Sequence, residues 1–334
     1  MKKTVLAFAV AAAMGVPAVA AADTTLYGRF HVSVDRVDTD AAGSSSDNKL
    51  TSRASRIGVR GSEDLGGGLR GVFQMEASMN PVDGGDELAG RDTFVGLAGD
   101  FGAVHLGNTN NVYERIIGNV QTFGDSALDA RNILSASPAE AVRFRAKNSI
   151  FYASPNFSGF QVMAQYGFGD NTASAGKVSD TDTYSIGAVY SQGPLRVFGA
   201  YSKVNNSDAT KEAEGALIGV RYTIDDLTLA AAYDKVEDNT DSRNAYLLSA
   251  RYNMGQTFLM GMYGSAGDFN GSDTGATYYG VGAGYNFSRR TSVYAAYAAL
   301  DNDTNGEYNF SVAGPDGGPN QTPSVFSLGV QHNF

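Results

Sequence analysis

No cysteine and no tryptophan occur in these 334 residues, proline occurs only 8 times, and beyond residue 22 no unbroken apolar run is long enough for a membrane-crossing helix. The missing cysteine excludes a disulfide scaffold. The scarce proline, set against 41 glycines, excludes a collagen-like or low-complexity chain. The missing apolar run excludes a helical membrane protein. Basic charge is also in short supply: 25 Lys and Arg face 35 Asp and Glu, a net −10. That balance argues against a nucleic-acid partner, whose recognition depends on a basic surface that releases counterions.

What is present begins with a leader. Lys2 and Lys3 precede an apolar stretch over 5–16, and Pro17 with the small residues 18–22 closes it. This is the three-part pattern of a secretory signal peptide, cleaved after Ala20 or Ala22. The expected organisation is 1–22 signal peptide and 23–334 a single exported domain.

The rest alternates with a period of two, in stretches of about ten residues bounded by Gly, Asn, Asp and Ser. Leu26, Phe30, Val32 and Val34 share one face of the first stretch, and Arg29, His31, Ser33 and Asp35 the other. The pattern predicts strands at 25–36, 51–62, 69–79, 88–99, 101–109, 143–154, 158–169, 182–192, 195–205, 214–224, 227–236, 243–253, 256–266, 276–287, 291–301 and 323–334. An even strand count with short turns alternating with long polar loops is the layout of an outer-membrane barrel. Closure leaves no unpaired edge in lipid. The fold class expected is therefore all-β, a 16-stranded antiparallel transmembrane β-barrel with short periplasmic turns and long external loops. Tyr152, Phe157, Phe160, Tyr166 and Phe168 fall near strand ends, where interfacial girdles lie.

Several stretches carry a family resemblance: TLYGRF at 25–30, SRIGVRGSEDLGGGLRGVFQME at 55–76, RDTFVGLAGDFGAVHLGN at 91–108, KNSIFYASPNFSGF at 147–160 and FSLGVQHNF ending at Phe334. Together they resemble the Gram-negative general porins. The resemblance implies a homotrimer in outer-membrane lipid and lipopolysaccharide, passive diffusion of ions and small hydrophilic solutes, no cofactor, and a third loop folded into the lumen. The 110–142 segment is long enough to be that loop. Its TFGD at 122–125 resembles the family's acidic loop motif, with Asp125 in the matching place and Thr122 where some relatives carry glutamate. Glu114, Asp129 and Glu140 are the other candidate inward acids. Opposite them the resemblance implies a basic ladder at Arg29, Arg56, Arg91, Arg143, Arg145 and Lys147. Arginine on the lipid face costs about 2–4 kcal/mol at mid-membrane, which favours the lumen face for such residues. At the other end Phe326, Leu328, Val330 and Phe334 resemble the C-terminal signal read by the assembly machinery.

Two further features carry less. Asp301, Asp303, Asn305 and Gly306 reproduce the opening of a calcium loop, but Val312 stands where its bidentate acid belongs and the flanks are strands. His31, His105 and His332 lack metal-binding spacing. A rim hydrolase would need a serine poised beside a histidine, and no serine stands out; no enzyme is expected. The alternatives are a substrate-specific channel, a surface adhesin and a soluble exported β protein. The long loops hold most of the acid, whereas the strand faces assigned to the lumen also hold Arg60, Arg70, Arg196, Arg221, Arg243 and Arg251. A basic wall inside an acidic protein predicts weak to moderate anion preference.

Overall fold

The computed structural model describes residues 23–85, 88–136, 142–169, 182–205, 212–311 and 314–334. The signal-peptide expectation, and Glu140 among the loop acids, fall outside the described residues. Every sheet neighbour is antiparallel. The strands are β1 (Asp23–Asp38), β2 (Asp47–Ser52), β3 (Arg56–Gly66), β4 (Leu69–Ser78), β5 (Thr93–Gly99), β6 (Gly102–Asn110), β7 (Arg145–Ala153), β8 (Phe160–Gly167) and β9 (Asp182–Gln192). They continue as β10 (Leu195–Asn205), β11 (Ala213–Ile224), β12 (Leu227–Asp238), β13 (Ser242–Met254), β14 (Thr257–Ala266), β15 (Ala276–Asn286), β16 (Thr291–Asn302) and β17 (Ser324–Asn333). Because β2 and β3 both pair with β1 and lie end to end, they make one barrel strand with a break, and the barrel has sixteen.

The break corrects the unbroken strand expected over 51–62. Arg53 leaves the ladder and turns its guanidinium inward to Ser33 Oγ (2.7 Å), Asp35 Oδ2 (2.7 Å) and Ser327 Oγ (3.2 Å), with Ala54 at φ +50°. The strand expected at 88–99 starts only at Thr93, and Asp92 is spent on side-chain contacts described below.

Closure joins β1 to β17. Arg29 to Asp38 pair with Asn333 back to Ser324, and Gly28 and Phe334 exchange backbone hydrogen bonds of 3.0 and 3.1 Å. The Phe334 ring lies over Gly28, where any Cβ would collide with it, and packs on Phe30 at 5.7 Å between centroids. Phe326, Leu328 and Val330 point outward and are exposed.

The wall is inside out relative to a soluble protein. Leu26 and Val34 are each 54% exposed, whereas His31, Ser33 and Asp35 on the opposite face are buried. Phe157, Phe160, Tyr166 and Phe168 are exposed as well, as a lipid-facing surface requires.

One large exception exists to the polar interior. On β10–β16 the inward residues include Phe198, Leu217, Leu247, Phe258, Met260, Met262, Tyr278 and Leu300, all buried in one apolar cluster. Period-two reasoning assigned this face to a water-filled lumen. The structure covers it with the described loop residues 111–136 and 142–144.

Candidate functional site

The covering segment opens with a short helix, α1 (Val112–Ile117). Asn111 caps it by accepting from Glu114 N at 2.9 Å, so the first free N–H groups are partly satisfied. Val112, Ile116, Ile117, Val120, Leu128, Ile133, Leu134 and Val142 are fully buried against the wall. Each contributes about 1.5–3 kcal/mol of apolar burial. Their sockets are wall glycines: Val112 and Ile116 sit on Gly187, Val142 on Gly215, Ile133 on Gly264 and Leu128 on Gly280 and Gly282, so that a Cβ at any of them would meet the loop.

Wall side chains satisfy the loop backbone, which would otherwise be buried without partners. Asp234 Oδ2 accepts from Ser135 N (2.6 Å), Ser135 Oγ (2.7 Å) and Tyr113 Oη (3.3 Å). Arg243 donates to the Ile133 carbonyl (3.1 Å), Tyr278 to Ala127 (2.7 Å) and Ser249 to Val120 (2.7 Å). The loop is a fixed liner on this side of the barrel.

Its other edge faces β1–β7 and carries charge. Arg29 and Arg56 are direct register partners across β1 and β3, an unfavourable pairing of like charges. Asp125 resolves it. Held at φ +57°, it bonds Arg29 through Oδ2, lies 3.7 Å from Arg56, and accepts from Arg131 Nη2 at 2.6 Å through Oδ1. Glu76 on β4 receives Arg91 Nε at 2.5 Å and Tyr27 Oη at 2.9 Å, with Arg56 Nε at 3.9 Å. Farther along, Asp92 receives Arg115 and Arg145, each at 2.9 Å. The side chains in these pairs, from Glu76 at 10% to Arg115 at 30% exposed, keep some contact with water, unlike the packed side.

Burial alone would raise the Asp125 carboxyl, but Arg29, Arg131 and Arg56 outweigh it and hold it well below the usual carboxylate range. Burial raises Glu114 above its ordinary value, with Arg131 only partly offsetting the effect.

The structure brings Arg29, Arg56, Arg91 and Asp125 together and distributes the other expected residues differently. Asp129 is fully buried inside the loop, where it accepts from Gln121 Nε2 (2.7 Å), Asp125 N (2.7 Å) and Arg131; it braces the turn that aims Asp125 and does not line the lumen. Glu114 serves as a partner of Arg131 at 3.2 Å. Arg143 donates to the Ser135 carbonyl at 2.9 Å and so braces the loop. Lys147 is exposed on the outside of the wall, beside Leu106, Ile150 and Phe168. The register shift between Gly107 and Thr109, opposite Asn148 at φ +46°, breaks the strict alternation that assigned Lys147 to the lumen.

Arg131 and Asp92 were not anticipated as site residues. Arg131 lies in the 110–142 loop, and Asp92 lies beside Arg91 in the stretch expected as the strand 88–99. Thr122, where a second loop acid was looked for, is buried, and Glu76 supplies the neighbouring carboxylate from the wall.

Among the described residues no group of three or more His, Asp or Glu side chains is arranged to hold a metal ion. His31 Nε2 bonds Tyr294 Oη (2.8 Å), His105 stacks on Phe94 (3.9 Å) and His332 Nδ1 meets Thr291 Oγ1 (2.9 Å). In the calcium-like segment Gly306 N closes onto the Asp303 carbonyl at 2.9 Å.

A family profile described as Gram-negative porin matches residues 8–305. Outer membrane porin protein 32 of Delftia acidovorans is 30% identical over the full length of both chains. The solved anion-selective porin from Comamonas acidovorans superposes with a TM-score of 0.80 at 24% identity, covering 94% of this chain and all of that one. The trimer form of Vibrio cholerae OmpT, folded in vitro, matches with a TM-score of 0.71 at 18% identity, over 94% of this chain and all of that one.

Proposed function

This chain belongs to the Gram-negative porin family, and from that premise we propose how its channel selects: a homotrimer in which each barrel passes small hydrophilic solutes through the slot between the fixed loop and β1–β7, with weak to moderate anion preference. It is an outer-membrane porin, a closed sixteen-stranded barrel. The observation that carries the selectivity reading is the Arg29–Asp125–Arg56 cluster, where arginines from the wall meet one loop acid across a water-accessible gap. Around the slot Arg29, Arg56, Arg91, Arg115, Arg131 and Arg145 face Asp125, Glu76, Asp92, Glu114 and the buried Asp129, so charge nearly cancels there with a small basic excess. Opposed charge across a narrow opening makes a transverse field that orders water and dipolar solutes and admits apolar ones poorly.

The similar solved barrel described as an anion-selective porin, and the other described as a trimer form, support the sign and the assembly state. The same reading takes residues 1–22 as a signal peptide, residues 23–334 as the mature barrel, and the Phe326–Phe334 face as the assembly signal. It places the acidic outer loops against lipopolysaccharide through bridging divalent cations, and it includes no cofactor and no catalysis. Planar-bilayer recording in a potassium chloride gradient tests it. Stepwise conductance in threes with a reversal potential of anionic sign is expected; a sealed bilayer would refute the channel, and a cationic sign would refute the filter.

A further inference from the structure

Three arginines at the short-turn rim take no part in the constriction. Arg196 on β10, Arg221 on β11 and Arg251 on β13 alternate in phase with the buried inward residues Phe198, Leu217 and Leu247 and so face the lumen. Short turns mark the periplasmic side of such barrels. Arg196 and Arg221 are direct register partners, which repeats the like-charge opposition seen at Arg29 and Arg56. There Asp125 lies between the two charges. Here no carboxylate of the described residues comes within 4.0 Å of Arg196, Arg221 or Arg251.

Each of the three touches the underside of the loop. Arg196 Nη1 donates to Asn119 Oδ1 (3.2 Å), Arg221 Nη2 to the Gln121 carbonyl (2.5 Å) and Arg251 Nη1 to the Thr122 carbonyl (3.4 Å). These bonds hold the guanidinium groups along one short segment without neutralising them. Arg221 Nε is shielded from solvent and has no acceptor. Arg196 stays exposed, so the cluster opens to the lumen. Next to Arg251, a hollow of about 260 Å³ also gathers Arg29, Arg289 and Arg290 around Gly124.

We infer that Arg196 and Arg221, with Arg251 farther along the same loop segment, form an oxyanion subsite on the periplasmic side of the constriction that takes a compact multivalent anion such as a phosphate ester or a polycarboxylate. The chemistry is that of guanidinium forks, which grip oxyanions through paired N–H donors. Multivalency follows from the opposed Arg196 and Arg221, since a monovalent ion leaves one of the two unbalanced. The inference rests on the channel reading above. It adds a binding step to what is otherwise free diffusion.

The test is block of the trimer's chloride conductance by inorganic pyrophosphate and, in parallel, citrate. Wild-type protein is expected to show saturable block by both. In the Arg196→Gln/Arg221→Gln variant the half-blocking concentration should rise by about tenfold, the change expected when hydrogen bonds to charged groups are removed. Arg196→Lys/Arg221→Lys should retain most of the block. Arg196→Glu, which leaves the hold of Arg221 on the loop intact, should lose it even if the double glutamine variant fails to fold. Conducting wild-type channels that neither anion blocks, or block unchanged in Arg196→Glu, would overturn the subsite and leave the channel standing. If the bilayer stays sealed, the channel reading falls instead. Calorimetric titration of pyrophosphate into the detergent-folded protein then decides the subsite, with heat lost in Arg196→Glu expected and heat unchanged overturning it.

Discussion

The two halves of the barrel interior use the same strand geometry for opposite ends. Along β10–β16, away from the short-turn rim, most inward side chains are apolar, the loop packs on them, and polar wall groups such as Asp234 and Ser249 are consumed in fixing its backbone. Along β1–β7 inward side chains are charged, partly hydrated and paired across a gap. One half is a protein core and the other is a solution interface. The first makes the second possible, because Asp125 can stand between Arg29 and Arg56 only if the loop that carries it cannot move.

The sharpest way to break the contrast is to charge the packed half. Leu128→Asp would set a carboxylate against Gly280 and Gly282 with no counter-ion; a loss of about 3–5 kcal/mol from the loop's attachment is expected. Limited proteolysis should then cut within 111–144 while the barrel survives, and an uncut loop would show the core to be more plastic than its packing implies. The charged half should respond to neutralisation without such damage. Arg29→Gln/Arg56→Gln/Arg91→Gln should move the permeability ratio toward cations by about fivefold, the scale of roughly 1 kcal/mol for a hydrated charge contact. Unchanged reversal potentials would relocate the filter.

Acid separates the regions more gently. A carboxyl with a lowered value keeps its stabilisation above the ordinary carboxylate range and loses it only as the pH falls through that lowered value. The difference in selectivity between wild type and Asp125→Asn should therefore stay undiminished through about pH 4, where free carboxylates are half protonated, and fall only below it. Its falling by half already near pH 4, as for a free carboxylate, would mean that the arginines do not hold Asp125. The outer loop behaves oppositely: burial and the neighbouring Asp268, Asp273 and Asp301 raise Asp303, which loses its charge at a higher pH than Asp125. The smallest effect is expected at Lys147, on the outside of the wall. Lys147→Gln should leave the permeability ratio within measurement error in the same salt gradient.

The strand rhythm made the barrel legible because lipid on one side and water on the other impose a strict alternation, and Leu26 against His31 obeys it. Asp125 was legible from TFGD for a similar reason: a short motif with a fixed job. What the alternation could not reveal was which inward faces stay wet. Phe198, Leu217 and Leu247 alternate as any lipid-facing residues would, and only their phase against Arg221 and Arg243 marks them as inward. The glycine sockets at Gly187, Gly215, Gly264 and Gly280 were a usable signal, since inward positions without side chains invite something else to fill the space. Lys147 misled because one local register shift reverses the face of everything beyond it. Asp129 misled because an acid's presence in an inward loop does not say whether it serves the lumen or the turn.

The seam between β1 and β17 has a consequence for time and not only for shape. Every other neighbouring pair of barrel strands is joined through its own turn or loop, so each can zip soon after its two halves exist. The seam alone joins positions roughly 300 residues apart, and contacts of such separation are the slowest to form. Assembly is thus a row of quick local closures awaiting one remote weld, and until Phe334 settles over Gly28 the sheet keeps two raw edges. Those edges mark the interval in which a neighbouring chain could capture it.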